Sequence, residues 1–211
     1  MIITIDGPAG TGKGTLARRV ADYYRMAYFD TGMVYRAVWL KMHLSHMDIS
    51  DESLAESIAQ NLTYDEMIKL SKHPEFRGPE SGLQTSIVAS HPKVRLALLQ
   101  MQRDFAKKAG NGVVYDGRDI GTVVIPDADI KFFVTASPEV RAERRFREFQ
   151  EKGIVVDYAD VLENIKQRDD NDRNRKISPL KPANEAIIID TSSLNADEVF
   201  EKTKEYIGER A

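Results

Sequence analysis

The sequence predicts an α/β fold, a doubly wound parallel sheet of five strands, and three observations carry that expectation. Five short apolar runs recur along the 211 residues: Ile2 to Ile5, Ala27 to Phe29, Val113 to Tyr115, Ile130 to Thr135 and Ala186 to Ile189. Several are continuous rather than alternating, which is how strands buried on both faces read. Helical patterns fill the intervals, so strands and helices alternate in the order that builds parallel βαβ units. The first strand also passes directly into a glycine-rich turn, Gly7 to Thr15, with a helical pattern, Leu16 to Ala21, behind it.

That turn is the first element with chemistry in it. It reads Gly7, Pro8, Ala9, Gly10, Thr11, Gly12, Lys13, Gly14, Thr15, and departs from the phosphate-loop pattern G-x-x-x-x-G-K-[ST] in one place. Gly14 follows Lys13, and the hydroxyl arrives one position late as Thr15. Successive backbone N–H groups and a helix N-terminus converge on such a turn, which makes it a seat for nucleotide phosphates. This G-K-G-T variant resembles the loop of nucleoside monophosphate kinases.

The later elements follow the same logic. Asp6, Asp30, Asp116 and Asp190 each stand at a strand's carboxyl end, where ligands gather in wound sheets, so a shared polar crevice is expected. Ser137-Pro138, Thr63-x-x-Glu66 and Asn195-x-x-Glu198 are helix starts by their capping residues. Two stretches interrupt the alternation, about 48 to 90 and about 149 to 182. The first holds His73-Pro74-Glu75-Phe76-Arg77-Gly78-Pro79, too rich in proline and glycine for a long element. Both read as lobes laid over the crevice and able to close on it.

Composition narrows the class. A net charge of −3 with 30% charged residues gives no general pull toward nucleic acid or anionic membrane. Cysteine is absent, which removes disulfides and thiolate metal sites, and His43, His46, His73 and His91 have no ligand-like spacing. No apolar run approaches the roughly 20 residues of a membrane span. A cytoplasmic monomer is expected, with neither nucleic acid nor membrane as partner.

Basic chemistry is therefore local. Of sixteen arginines, seven lie between 141 and 175: Arg141, Arg144, Arg145, Arg147, Arg168, Arg173 and Arg175. Arg141 and Arg147 are expected on a solvated helix face, paired with nearby Glu143, Glu148 and Asp170, whereas Arg168, Arg173 and Arg175 are expected to serve the site. On a helix, 168, 172 and 175 share one face, setting Asp172 between two guanidinium groups.

Four blocks then point to one family. Beside the G-P-A-G-T-G-K-G-T loop, D-T-G-M-V-Y-R at 30 to 36, Y-D-G-R-D-I-G-T-V-V-I-P-D-A at 115 to 128 and I-K-Q-R-D-D-N-D-R-N-R at 165 to 175 resemble bacterial cytidylate kinases. An adenylate kinase is expected to carry D-G-[FY]-P-R where this chain has Asp116-Gly117-Arg118-Asp119. The resemblance implies a single P-loop kinase domain over 1–211, with a nucleoside monophosphate (NMP) lobe at about 31–95 and a lid lobe at about 149–182. It implies transfer of a phosphoryl group from ATP to CMP or dCMP, small-molecule substrates both, with Mg2+ as cofactor.

The implied residues are these. ATP sits on residues 7 to 15 of the loop, with Lys13 reaching its phosphates and Thr15 turned toward magnesium; Asp116 is an outer-shell partner of the metal. Thr31, Tyr35 and Arg36 meet the acceptor nucleotide, Arg36 and Arg118 at its phosphate. Ser86 and Asp119 meet the cytosine edge, where a carboxylate accepts from the exocyclic amine that uracil lacks. Arg95 meets the acceptor side of the ring, Asp172 and Arg175 the ribose and phosphate, and Arg168 and Arg175 flank the transferring group with Lys13. One departure is the short segment Pro74 to Ser86, where the family often has a longer lobe with an I-R-T-like sequence; Arg77 is the candidate to stand in for a residue of that longer lobe. Alternative acceptors are UMP, AMP or a hydroxylated metabolite such as shikimate, and a nucleotide-dependent switch is the non-enzymatic alternative. The guanine-reading N-K-x-D of such switches is absent.

Overall fold

The computed structural model describes residues 1–208; residues 209–211, the last of the expected domain, lie outside them. Five parallel strands, β1 (Ile2–Asp6), β2 (Ala27–Asp30), β3 (Val113–Gly117), β4 (Ile130–Thr135) and β5 (Ile187–Asp190), form one sheet in the order β2-β3-β1-β4-β5. The expected class and strand count hold, each strand within a residue or two of its apolar run. β1 and β3 are neighbours that send the chain in opposite directions, which opens a crevice at their carboxyl ends.

The strands' two-residue side-chain period sorts the core into two layers. Ile3, Ile5 and Val114 face α1 (Lys13–Tyr24) and the C-terminal α9 (Ala196–Gly208), and pack there with Leu16, Val20 and Phe200. Val113 and Tyr115 face the other way, toward α2 (Gly32–Leu44), α3 (Glu52–Gln60), α4 (Tyr64–Leu70) and α6 (Pro92–Lys108), where Val38, Met67, Phe76 and Leu98 are buried. Between α4 and α6 lie a 3-10 turn, Pro74–Arg77, and α5 (Ser81–Val88), so the proline-rich stretch holds only short pieces, as its sequence requires.

A third cluster is separate. α7 (Pro138–Glu151) and α8 (Tyr158–Asn174) form a hairpin closed on its own small core of Ala142, Phe149, Val161 and Ile165. The three capping starts form as expected: Thr63 accepts from the Glu66 N–H at 3.2 Å, Ser137 from Val140 at 3.3 Å, and Asn195 from Glu198 at 3.0 Å, with the Glu198 carboxylate accepting from the Asn195 N–H in return. Among the described residues no helix is long and apolar enough to cross a membrane.

Candidate active site

The crevice at the carboxyl ends of β1 and β3 is a cavity of about 690 Å3, lined by the glycine-rich loop, the starts of α1 and α2, α5, α6, the segment after β3 and the α7–α8 hairpin. That size suits a small ligand. The loop arches over the end of β1 because Gly7 takes φ 151°; a Cβ there would stand 2.0 Å from the Val134 carbonyl oxygen. Only glycine fits. Lys13, 7% exposed, donates to the Pro8 carbonyl at 3.1 Å and stands 3.9 Å from Asp116. Burial, with Arg118 adding repulsion, lowers its pKa to about 7, and Asp116 only partly restores it. Burial pushes the Asp116 carboxyl up while Lys13 draws it down, and the Tyr28 hydroxyl donates to it at 3.4 Å.

Facing the loop is a chain of alternating charge. Arg95 donates to Asp119; Arg175 lies 3.4 Å from the other Asp119 oxygen and 3.7 Å from Asp172; Arg118 Nε donates to Asp172 at 2.9 Å. Both aspartates are buried, and the Tyr35 ring lies 5.2 Å from the Arg95 guanidinium, so the chain is dry and stacked. Burial would raise the Asp172 carboxyl, but Arg118, Arg168 and Arg175 hold it below its ordinary value. Ser86 reaches the same wall from α5; its hydroxyl donates to the Leu83 carbonyl at 2.8 Å and accepts weakly from Asn171 at 3.4 Å.

Between loop and chain stands a cluster of cations. Arg36 lies 3.8 Å and Arg77 3.0 Å from one oxygen of Asp30. Burial pushes Asp30 up, yet these two arginines outweigh it and keep the carboxyl ionised. Burial, reinforced by Arg118, lowers Arg168 to about 9, and α5 makes room for it with Gly82, where a Cβ would stand 2.9 Å from its guanidinium. Arg36 Nη1 and Arg168 Nε are buried without a hydrogen-bond partner. Depressed cation pKa values and orphaned guanidinium N–H groups in one cavity describe a site built for more negative charge than the protein supplies.

Thr31, Tyr35, Arg36, Ser86, Arg95, Arg118, Asp119, Arg168, Asp172 and Arg175 all line this cavity, as do Asp116 and the loop residues Ala9, Gly10, Gly12, Lys13, Gly14 and Thr15. Gly7, Pro8 and Thr11 do not; they brace the loop, Thr11 through a 3.3 Å bond to the Pro8 carbonyl. The Thr31 hydroxyl donates to the Asp116 carbonyl at 3.0 Å, pinning the start of α2 to β3.

Several expectations need correction. Arg175 is not on the helical face of Arg168 and Asp172: α8 ends at Asn174, and Arg175 turns into extended backbone, which is what swings its guanidinium back between Asp119 and Asp172. Asp6 and Asp190 do not join the crevice. Asp6 binds backbone N–H groups of residues 120 and 121, and Asp190 caps the turn at Ser192. Arg173 points outward, 55% exposed, beside Asp169. Arg141 is 1% exposed rather than solvated, because Asp169 takes its guanidinium in a two-pronged pair at 3.0 and 2.6 Å while the Ala9 carbonyl accepts at 3.1 Å. Arg147 does sit in solvent with Glu143. Sequence reasoning counted Arg145 in the arginine cluster but gave it no place in the site; it lines the cavity and reaches the Arg77 carbonyl at 3.4 Å across the crevice.

Among the described residues no cluster of three or more metal-binding side chains exists. The donors present, the Thr15 hydroxyl and the Asp116 carboxylate beside the phosphate loop, match the sparse protein share of a magnesium ion that is held chiefly by phosphates and water.

A solved structure of an uncharacterised protein from Eubacterium ventriosum superposes over 100% of this chain and 99% of its own with a TM-score of 0.55 at 12% identity, a likeness of fold alone. Relatives in sequence are nearer. The cytidylate kinase of Paramagnetospirillum magneticum is 48% identical over 211 residues, covering 99% of this chain and 98% of its own. That of Brucella suis biovar 1 is 48% identical over 208 residues, covering 98% and 92%. The cytidylate kinase family model matches residues 3–209, and with the loop, the D-G-R-D segment and the arginine-rich helix all meeting in one cavity, the chain belongs to the cytidylate kinase family.

Proposed function

We propose that this protein transfers the γ-phosphoryl group of ATP to CMP and dCMP. The observation that carries the reading is the common cavity in which Lys13 and the loop amides face the chain Arg95, Asp119, Arg175, Asp172, Arg118 across a cluster of arginines. A phosphate oxygen of CMP, already anionic near neutral pH, forms a bond to the γ-phosphorus as the bond to the β-phosphate oxygen breaks and ADP leaves. No general base is needed, so positioning and charge neutralisation carry the rate.

The roles follow from position. Residues 10 to 15 seat the donor phosphates on N–H groups, and Lys13 bridges toward the group in transit. Arg36 and Arg118 grip the CMP phosphate, and Arg168 and Arg175 stabilise charge on the transferring group. Asp119, Ser86 and Arg95 read the cytosine edge, Asp172 the ribose, and Thr31 and Tyr35 line the pocket. Thr15 and, in the outer shell, Asp116 would hold magnesium beside the donor phosphates, where it would supply further neutralisation of their charge. Arg77, paired with Asp30 in the short insert, adds a cation beside Arg36.

The segments 31–95 and 149–182 act as NMP-binding lobe and lid. The separate core of the α7–α8 hairpin supports its movement as one body, and closure keeps water from the reacting phosphate. A cytoplasmic monomer fits this small-molecule chemistry. The test is an acceptor panel of CMP, dCMP, UMP, AMP and shikimate with magnesium ATP. CMP and dCMP should give the highest kcat/KM; preferred turnover of AMP or shikimate would overturn the reading.

A further inference from the structure

Asp6 is a buried carboxylate that the phosphoryl-transfer chemistry leaves unused. It is the last residue of β1, 5% exposed, and does not line the cavity. Its two oxygens accept from consecutive backbone N–H groups, Ile120 at 2.9 Å and Gly121 at 2.8 Å. Those residues open a short π-helical turn, Ile120–Val124, whose first flanking residue is Asp119. The turn is gripped from outside as well: Arg103 donates to the Val124 and Val123 carbonyls at 2.8 and 3.1 Å. Gly121 lies so close to β1 that a Cβ would stand 2.9 Å from the Thr4 hydroxyl.

Burial pushes the Asp6 pKa up to about 7 against the pull of the two N–H bonds. A neutral or apolar residue here would spare the fold that cost but leave the N–H groups of Ile120 and Gly121 without these acceptors. What it does achieve is geometric. A π-helical turn leaves N–H groups without partners at its start. A two-oxygen acceptor fixes two of them, and with them the backbone from which the Asp119 side chain projects. Asp6 is also bonded directly to Gly7, so one residue references the Asp119 turn to the phosphate loop.

We infer that Asp6 is a positioning residue for base selection, holding the Ile120–Val124 turn so that Asp119 meets the pyrimidine edge in a fixed place. This rests on the reading of Asp119 as a cytosine contact. Asp6→Asn is the sharp variant: it keeps the shape but turns one amide N–H2 toward a backbone N–H, donor against donor. We expect KM for CMP to rise at least fivefold with KM for ATP within twofold, and the CMP-to-UMP ratio of kcat/KM to fall at least fivefold. A purely structural role would lower the melting temperature without moving that ratio. Asp119→Ala and the double variant complete the test. If Asp6 acts through Asp119, the double variant has the ratio of Asp119→Ala alone. An unchanged ratio in Asp6→Asn, with the Asp119→Ala ratio reduced, overturns the inference and leaves the base reading standing; an unchanged ratio in Asp119→Ala overturns both. Should Asp6→Asn fold poorly, amide hydrogen exchange on the wild type decides: Ile120 and Gly121 should be protected and gain protection with CMP, and rapid exchange at both would overturn the inference.

Discussion

The two walls of the cavity bind by different physics. The loop side is backbone: N–H groups of Gly10 to Thr15, a helix N-terminus and a single lysine, contiguous in the chain and held up by Gly7. The facing side is a side-chain network, Arg95, Asp119, Arg175, Asp172 and Arg118, drawn from α6, the turn after β3, and the end of α8. Backbone amides take any polyphosphate and barely depend on side-chain identity. A buried network of alternating charge is costly to dehydrate and collapses when one member goes, because its neighbours are left buried and unpaired. The proposed function thus assigns generic affinity to one wall and selectivity to the other.

Breaking the loop side should have the largest effect. Lys13→Met is expected to lower kcat at least a hundredfold, as the loss of about 3 kcal/mol of electrostatic stabilisation implies. Its stability should move the other way. The native Lys13 value of about 7 lies below the ordinary 10.5, so between these limits the unfolded chain binds a proton that the native chain does not, and stability rises with pH through that window. Denaturant titrations from pH 7 to 10 should show this slope in the wild type and a flatter one in Lys13→Met.

Removing one member of the network comes next. Arg175→Ala is expected to lower phosphoryl transfer more than tenfold, for about 1.5–3 kcal/mol of charge-assisted hydrogen bonding removed, and to raise KM for CMP more than KM for ATP. A variant with near-normal rates would remove Arg175 from the site. Asp119→Ala sharpens the contrast, since it removes the base contact and unpairs Arg95 and Arg175 while leaving the loop wall untouched. Its CMP-to-UMP ratio should fall about tenfold, with ATP affinity within twofold by calorimetry. Equal selectivity for CMP and UMP in both proteins would deny Asp119 that role.

The loop side also predicts a pH effect that the network does not. Polyphosphate binding restores the charge on Lys13, so above about pH 7 the site must take up a proton to bind ATP. Affinity for ATP should weaken with rising pH by up to about tenfold per unit, and calorimetry in buffers of different ionisation enthalpy should reveal the proton uptake. The smallest effect belongs to neither wall. Arg147, 67% exposed and paired with Glu143 on α7, should be replaceable by Ala within about 0.5 kcal/mol of stability and without change in rate.

The same contrast explains what is legible in the sequence. A backbone cradle must be written contiguously, so Gly7 to Thr15 can be read letter by letter, and the five apolar runs and three caps are equally local signals. The network is assembled across up to eighty residues of separation, as between Arg95 and Arg175. The family resemblance supplies its members, while helical spacing alone puts Arg175 on the wrong kind of backbone. Arg141 escapes sequence reasoning because nothing near it in the chain announces that Asp169 and the Ala9 carbonyl converge on it. The partners of Asp6 lie 114 and 115 residues away, beyond any periodicity argument.

The most direct measurement is a crystal structure with CMP and a non-hydrolysable ATP analogue bound together. The account predicts triphosphate on the amides of residues 10 to 15, the CMP phosphate on Arg36 and Arg118, the γ-phosphate beside Arg168 and Arg175, and the cytosine amine on Asp119. A pyrimidine lying away from Asp119, Arg95 and Ser86 would contradict it.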